Sequence, residues 1–130
     1  MSQPAVGAAR SVLVVEDDRF LRRACEVSLR QRGFTVLTAP DGEAALELIR
    51  AELPGLVLLD LLMPRMSGLE LLRCLRSEER TRALPVLVIS NSSREEDVAE
   101  LERLGITGYL VKANLSLEEL GNTVTRILEA

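Results

Sequence analysis

Five short apolar runs separated by longer charged segments constrain the fold of this chain more than any other feature. The runs are rich in valine, leucine and isoleucine, as in buried strands, and the segments between them carry apolar residues at helical spacing. The runs span residues 11–15, 35–38, 56–59, 85–89 and 108–111. Strands that alternate with helices in this way predict a parallel sheet whose strands are joined by crossover helices.

Capping residues support the same boundaries. A serine followed three residues later by a glutamate is a capping-box pattern, which begins helices. The pattern occurs at Ser67, Ser93 and Ser116, each time just before a segment of apolar residues at helical spacing. Asp41 is positioned to begin the second helix, and Gly33 and Gly105 stand where two other helices are expected to end. We therefore predict five helices, one after each strand.

The apolar runs are nearly continuous rather than alternating, which is typical of parallel strands buried on both faces. We therefore predict an α/β fold, a (βα)5 unit with a doubly wound, five-stranded parallel sheet. Aromatic residues make up only 2% of the chain, so aliphatic side chains must fill the core. The length of 130 residues suits one domain, which we expect over residues 11–130, after a flexible N-terminal tail at 1–10.

The composition excludes several kinds of site. The chain contains no histidine, which excludes a Ser-His-Asp triad, a His-ligated haem and an HExxH zinc helix. Its two cysteines are too few for a four-cysteine zinc or iron–sulfur site. Any chemistry must therefore use carboxylates, lysine, hydroxyl groups or a bound cation.

Charge and hydropathy also restrict the partners and the location. A net charge of −4 without a basic run argues against direct binding to nucleic acid. No apolar stretch is long enough to span a membrane, and residues 1–10 lack the pattern of a signal peptide. Cys25 and Cys74 fall on predicted helices, where packing explains them, and so few cysteines fit a reducing compartment. We expect a cytoplasmic protein with no membrane insertion.

Polar residues follow four of the five predicted strands. In an open parallel sheet, ligands bind beyond the carboxyl ends of the strands, near the point where the strand order reverses. The residues that follow the strands there are Glu16, Asp17, Asp18, Asp60, Ser90 and Lys112. Each has an ordinary explanation on its own, as a helix cap, a turn residue or a solvated lysine. Together they bring carboxylates, a hydroxyl group and an ammonium group to one edge of the sheet.

This combination predicts phosphoryl chemistry at a magnesium site. Clustered carboxylates raise one another's pKa unless a cation lies among them, and oxygen ligands of this kind suit Mg²⁺. A carboxylate at the end of a buried strand can act as a nucleophile toward phosphorus. Neither GxxxxGK[ST] nor GxGxxG occurs, so a nucleotide is not expected. The predicted phosphoryl group is therefore small and covalently held.

The strand ends belong to four longer motifs. They are VLVVEDD at 12–18, LVLLDLLMPRMSG at 56–68, VLVIS at 86–90 and GYLVK at 108–112. With motifs in this order and at this spacing, the chain resembles the receiver domains of response regulators in bacterial two-component signalling, such as the chemotaxis regulators. The resemblance covers about residues 11–130 and implies a flavodoxin-like sheet with the strand order 2-1-3-4-5.

The resemblance implies roles for the residues at the strand ends. Asp60 is the implied phosphoacceptor. Mg²⁺ is the implied cofactor, with Asp17 and Asp60 as carboxylate ligands. Glu16 would act through water, and the backbone carbonyl of Leu62 would be a further ligand. We interpret Asp18 as a helix cap rather than a ligand.

The same resemblance implies a switch. Ser90 and Lys112 would contact the phosphoryl group, and Tyr109 is the aromatic residue expected to rotate inward as Ser90 moves. The charge and acceptor oxygens of the phosphoryl group would shift the conformational equilibrium of an output surface. This surface is made of segments 93–104 and 117–128 with the fifth strand between them. Outward residues expected in the first segment are Glu95, Glu96, Asp97, Glu100 and Glu102. These acids favour a downstream protein with a basic or mixed-charge patch, or they are simply a solvated face.

The implied function is that of a phosphoacceptor in a two-component phosphorelay. A histidine kinase or phosphotransfer protein would donate its phosphohistidine group to Asp60, so the histidine that this chain lacks belongs to its partner. The chain would catalyse its own phosphorylation and dephosphorylation without being a multiple-turnover enzyme. It would act as a monomer or as a phosphorylation-dependent dimer.

Two departures from the family pattern motivate an alternative. Ala113 stands where members carry a proline after the lysine, and Asn91 stands where alanine or glycine is usual. A pseudo-receiver, which binds protein partners without phosphorylation, is therefore the second hypothesis. A phosphohydrolase of the haloacid-dehalogenase type is the third, although Leu62 occupies the position of its second aspartate. The scarcity of aromatic residues disfavours a flavodoxin that binds FMN.

Overall fold

The computed structural model describes residues 10–91 and 95–129, in which five strands and five helices alternate. The strands are β1 (Ser11–Val15), β2 (Thr35–Ala39), β3 (Leu56–Asp60), β4 (Val86–Ser90) and β5 (Gly108–Val111). The helices are α1 (Arg19–Gln31), α2 (Gly42–Glu52), α3 (Gly68–Ser77), α4 (Glu95–Arg103) and α5 (Leu117–Leu128). A turn of 3₁₀ helix, Lys112–Asn114, follows β5. The strand ends differ from the predicted ones by no more than one residue.

The five strands form one parallel sheet in the order β2-β1-β3-β4-β5. The chain leaves β1 toward β2 on one side and returns to the other side of β1 to form β3. The strand order therefore reverses between β1 and β3, and ligands are expected in the crevice at the carboxyl ends of these two strands. The prediction of a doubly wound, flavodoxin-like (βα)5 fold is confirmed.

Two apolar clusters cover the two faces of the sheet. On one face, α1 and α5 contribute Leu29 and Leu120 to a buried cluster that includes Val12 of β1. On the other face, α2, α3 and α4 cover a cluster that includes Leu71 and the next residue of β1, Leu13. Successive side chains of β1 thus point to opposite faces, as they do in any strand. Because both faces are covered, the polar residues that follow the strands meet only at the edge of the sheet.

Side-chain caps fix where the helices begin. Ser67 and Glu70 form a complete capping box at α3, with each side chain accepting the other's backbone N–H at 3.2 Å. The Asp41 carboxylate accepts the N–H of Ala44 at the start of α2. At α5, Ser116 Oγ accepts the N–H three residues later at 3.0 Å. The helix starts predicted at these three serine and aspartate positions are confirmed.

The remaining expectations on the fold are tested only in part. Residues 1–9 and Ser93 lie outside the described residues, so the N-terminal tail and the third capping box remain predictions. Gly33 and Gly105 have positive φ angles of 92° and 77° just after α1 and α4, which confirms the predicted helix ends. Burial raises the pKa of the Cys25 thiol to about 11, in keeping with a packing role. Within the described residues, no helix is both long and apolar enough to cross a membrane.

Candidate functional site

Three carboxylates meet at the carboxyl ends of β1 and β3. Oxygen atoms of Glu16, Asp17 and Asp60 all lie within 4.8 Å of one another. Glu16 and Asp60 are buried, with 0% and 3% of their surface exposed, whereas Asp17 is exposed to solvent. Such a cluster of like charges is stable only when a cation or protons compensate it. The sequence prediction that these three residues come together is confirmed.

Lys112 supplies one compensating charge. Its Nζ lies 2.7 Å from Glu16 Oε1 and 3.2 Å from Asp60 Oδ2. Burial alone lowers the pKa of Lys112, but the contacts with Glu16 and Asp60 outweigh burial and raise that pKa above its ordinary value. One ammonium group faces three carboxylates, so the cluster keeps a negative charge that suits a hard divalent cation with oxygen ligands. The residues present therefore fit a magnesium ion.

Ala113 does not displace Lys112 from the site. The described residues contain no cis peptide bond, so the chain continues through a trans bond into the 3₁₀ turn. The N–H of Leu115 closes this turn by donating to the carbonyl of Lys112 at 3.2 Å. A non-proline residue strongly favours the trans bond. The turn therefore holds the lysine at the carboxylates without the proline that is usual in the resembled family.

Glu16 is held in place through its backbone and its carboxylate. Arg22 Nη1 of α1 donates to the Glu16 carbonyl oxygen at 2.7 Å, and the N–H of Asp18 donates to Glu16 Oε2 at 3.0 Å. Burial is the largest influence on this carboxyl group and raises its pKa to about 7, although Lys112 and the N–H of Asp18 act in the opposite direction. Near neutral pH, Glu16 is therefore poised between its protonated and its ionised form.

The raised pKa of Glu16 predicts a pH-dependent stability in metal-free protein. Between pH 4.5 and about 7 the folded state keeps a proton that the unfolded chain releases. The free energy of unfolding should therefore fall as the pH rises through this window. Urea unfolding in the presence of EDTA measures the slope, and Glu16→Gln should remove it. An equal slope in the variant would contradict the assignment to Glu16.

Asp18 has the role predicted for it. Its Oδ1 accepts the N–H of Phe20 at 2.9 Å and the N–H of Leu21 at 3.1 Å, which caps the first turn of α1. Asp18 is therefore the helix cap, and Asp17 is the second acid of the pair that joins the cluster.

The loop after β3 folds back onto the end of its own strand. Asp60 Oδ1 accepts the N–H of Leu62 at 3.3 Å, and the N–H of Gly68 donates to the carbonyl of Leu61 at 3.0 Å. A Cβ atom at Gly68 would lie 2.4 Å from the backbone oxygen of Asp60. Only glycine permits this approach, so Gly68 determines how the loop meets Asp60. The glycine stood in the sequence motif, but the sequence alone gave it no role.

Gly68→Ala should therefore damage both the fold and the site. The added Cβ must push away the Asp60 backbone, and we expect a loss of about 2 kcal/mol in the free energy of unfolding, together with slower phosphorylation. Gly105→Ala is the matched control. No atom lies within 4 Å of a Cβ there, and its cost is the positive φ alone, about 1 kcal/mol. If both variants were phosphorylated as fast as the wild type, Gly68 would have no role in the site.

Ser90 and Tyr109 lie on the neighbouring strands. Ser90 is the last residue of β4, is fully buried, and pairs in the sheet with Val111, the residue before Lys112. Tyr109 of β5 is partly buried, and its hydroxyl oxygen is buried without a hydrogen-bond partner among the described residues. The side chain of Asn91 is exposed. The hydroxyl group of Ser90 and the ammonium group of Lys112 thus come from adjacent strands, as the sequence predicted.

A family comparison agrees with this arrangement. The family model described as the response regulator receiver domain matches residues 12–125. The chain belongs to this family. Receiver domains serve as phosphoacceptors in two-component signalling, so this is the functional class of the chain. The match and the intact site do not support the pseudo-receiver alternative.

Known relatives include both short and long proteins. This receiver domain is 39% identical over 124 residues to the Regulator of RpoS of Escherichia coli, and the match covers 95% of the chain but 36% of that protein. It is 33% identical to the chemotaxis protein CheY of Pseudomonas aeruginosa, covering 91% of the chain and 95% of that protein. A solved receiver protein from Pseudomonas putida is 33% identical, with a TM-score of 0.84 over 93% of the chain and 99% of that protein. The chain thus spans about a third of one relative and nearly all of two others.

Proposed function

We propose that Asp60 is the phosphoacceptor of this receiver domain and that the three carboxylates bind Mg²⁺. Glu16, Asp17 and Asp60 offer oxygen atoms within 4.8 Å of one another, and the backbone carbonyl of Leu62 would complete the protein ligands. The observation that carries the proposal is the position of Asp60, whose two carboxylate oxygens already contact the N–H of Leu62 and the ammonium group of Lys112. Bound Mg²⁺ would neutralise charge on the phosphoryl oxygens and orient them.

The proposed reaction is a displacement at phosphorus. A carboxylate oxygen of Asp60 attacks the phosphoryl group of a phosphohistidine on a histidine kinase or phosphotransfer protein. The oxygen–phosphorus bond forms as the nitrogen–phosphorus bond breaks, and the electron pair leaves with the donor's imidazole. Lys112 Nζ lies 3.2 Å from Asp60 Oδ2, close enough to stabilise the charge that develops on the transferred group.

The same residues would act in dephosphorylation. Attack of water on the phosphorus breaks the bond to Asp60 and returns its carboxylate and inorganic phosphate. The protein would thus catalyse its own phosphorylation and dephosphorylation but would not turn over substrate repeatedly in the usual sense. Leu62 lies two residues beyond Asp60 with 66% of its surface exposed, so it stands at the outer side of the site.

We further propose that phosphorylation is transmitted to the output surface formed by α4, β5 and α5. A phosphoryl group adds a charge of about −1.5 to −2 and three acceptor oxygens. Ser90 and Lys112 at the ends of β4 and β5 are the groups placed to respond to it, and Tyr109 is the neighbouring aromatic residue. Of the acids expected to face outward on α4, Glu102 is exposed and Glu100 is paired with Arg73. Glu95, Glu96 and Asp97 belong to the segment whose side chains lie outside the described residues.

Phosphotransfer tests the proposal. A purified histidine kinase or phosphotransfer protein carrying a labelled phosphohistidine is mixed with the receiver domain and Mg²⁺. Label should pass to the receiver and should be labile to hydroxylamine, as an acyl phosphate is. Profiling several donors would also identify a cognate kinase, and a downstream protein with a basic or mixed-charge patch should bind the phosphorylated form more tightly. Transfer to Asp60→Asn would contradict the proposed phosphoacceptor.

A further inference from the structure

We propose that the ion pair between Asp41 and Arg65 is a positioning device for the magnesium site. The pair holds the loop of residues 61–67 against α2 and thereby fixes the backbone of Leu62 relative to the three carboxylates. This inference rests on the proposed function, because it assumes that the Leu62 carbonyl is a metal ligand.

The ion pair is well formed on the Asp41 side. Arg65 Nε lies 3.0 Å from Asp41 Oδ2, while Asp41 Oδ1 accepts the N–H of Ala44 at 2.9 Å and caps α2. Asp41 is only 5% exposed. One oxygen of its carboxylate is bonded to the helix N–H and the other to the arginine. The N–H of Ala44, followed by Arg65, lowers the pKa of Asp41 below its ordinary value. The carboxylate therefore stays ionised, and available to Arg65, throughout the neutral range.

Arg65 adopts a backbone conformation that is unfavourable for an arginine without stabilising contacts. Its φ is +64°, in the left-handed region that residues with a Cβ atom rarely occupy. Such a conformation persists only where surrounding contacts determine it. The side chain of Arg65 is 64% exposed, so packing does not supply those contacts. The contacts that can are the ion pair with Asp41 and the backbone bond across Arg65, in which the N–H of Met66 donates to the carbonyl of Pro64 at 2.8 Å.

The residues after Arg65 and Asp41, Met66 and Gly42, also attach the loop to α2. A Cβ atom at Gly42 would lie 2.4 Å from the backbone oxygen of Met66, so the loop backbone rests directly on the first turn of α2. At the other end of the loop, the N–H of Gly68 is bonded to the carbonyl of Leu61. Leu62 lies between these two attachments and has a mostly exposed side chain. Its N–H is bonded to Asp60 Oδ1, and the rest of its backbone position depends on its neighbours in the loop rather than on its own burial.

The affinity for Mg²⁺ should be sensitive to the position of the Leu62 carbonyl. The ion demands near-octahedral geometry at short distances, so a small displacement of one ligand weakens its binding. Groups that orient the ligands of a metal commonly change its affinity by about 10- to 100-fold when they are removed. Neither Asp41 nor Arg65 contributes an atom to the carboxylate cluster. Their effect on the metal would therefore be one of position.

Magnesium binding to metal-free protein tests the inference without phosphorylation. The dissociation constant is measured by following backbone NMR signals during titration with MgCl₂. Arg65→Asn removes the ion pair but keeps a residue that tolerates positive φ, and Asp41→Ser removes it but keeps a good helix cap. Each should raise the constant about tenfold, and the double variant should add little more. Arg65→Lys, which keeps the charge, should recover part of the affinity.

The control is Arg50→Gln, which breaks an exposed ion pair with Glu78 and should leave the constant unchanged. Urea unfolding of each variant separates metal affinity from stability. If the wild type binds Mg²⁺ and both Arg65→Asn and Asp41→Ser have the same dissociation constant as the wild type, the positioning role is overturned. The proposed function would still stand. Effects that add fully in the double variant would also overturn it. If the wild type shows no saturable binding at all, this inference fails together with the proposed magnesium site.

Discussion

Asp60→Asn is expected to abolish phosphorylation. An amide cannot displace the phosphohistidine nitrogen as a carboxylate does, because its oxygen is a far weaker nucleophile. Glu16 and Asp17 do not replace Asp60 as acceptors in our account. Glu16 is fully buried and engaged with Lys112, and Asp17 is the exposed member of the cluster, whereas Asp60 is the carboxylate that accepts the N–H of Leu62. Intact mass after incubation with phosphodonor and Mg²⁺ should show only the unmodified variant.

The variant should keep its fold, which makes the loss interpretable. Asparagine has the same shape as aspartate, and its side-chain oxygen can still accept the N–H of Leu62. Removing the charge of Asp60 also removes one of the influences that raise the pKa of Glu16. Circular dichroism and urea unfolding should therefore show a folded protein. A phosphorylated Asp60→Asn protein would move the phosphoacceptor to another residue.

Lys112→Met is expected to slow phosphorylation by about a hundredfold. The ammonium group contacts both Asp60 and Glu16 and is the only cation within ion-pair distance of either carboxylate among the residues that the structure describes. Methionine has a similar reach but no charge, so the negative charge that develops on the phosphoryl oxygens loses this partner. The rate of label transfer from a phosphohistidine donor, measured over time, gives the effect directly.

A second measurement separates this role from simple damage. Without Lys112, the buried carboxylates lose their compensating charge, so the pKa of Glu16 should rise further and Mg²⁺ should bind more tightly at a pH where Glu16 is ionised. Slower phosphorylation together with tighter Mg²⁺ binding is the expected signature. Lys112→Arg keeps the charge in another geometry and should be less impaired in rate. Weaker Mg²⁺ binding in Lys112→Met would contradict the competition between ammonium and metal.

The sequence predicts the part of the site that depends on strand ends. Glu16, Asp17, Asp60, Ser90 and Lys112 each follow or end a predicted strand, and parallel strands bring their carboxyl ends to one edge. The topology therefore converts positions far apart in sequence into neighbours. No knowledge of individual contacts is needed for this step, because both the alternating pattern and the direction of the strands can be read from the residues.

The contacts made by the loops could not be predicted in the same way. Arg65 meets Asp41 across 24 positions of sequence, and the pairing depends on the path of the loop after β3. That path depends in turn on the close approach of Gly68 to the backbone of Asp60. A glycine in a motif indicates that another atom approaches its backbone closely. It does not indicate which atom that is. Tertiary contact, rather than local pattern, decides the role of these residues.

The raised pKa of Glu16 and the path of the chain after Lys112 could not be predicted from the sequence either. An acid that follows a strand can be solvated, as Asp17 is, or fully buried, as Glu16 is, and only packing separates the two. The replacement of the usual proline by Ala113 left the position of Lys112 open. A trans bond and a short 3₁₀ turn place the lysine at the carboxylates. In both cases the outcome depends on backbone geometry that several residues determine together.

The most direct test of the account is intact mass spectrometry of the protein after incubation with acetyl phosphate, a small phosphodonor that needs no kinase. In the presence of Mg²⁺ the wild type should gain the mass of one phosphoryl group, and peptide mapping should place it on Asp60. In EDTA the gain should disappear. An equal gain in EDTA, no gain with Mg²⁺, or a gain that persists in Asp60→Asn would contradict the account.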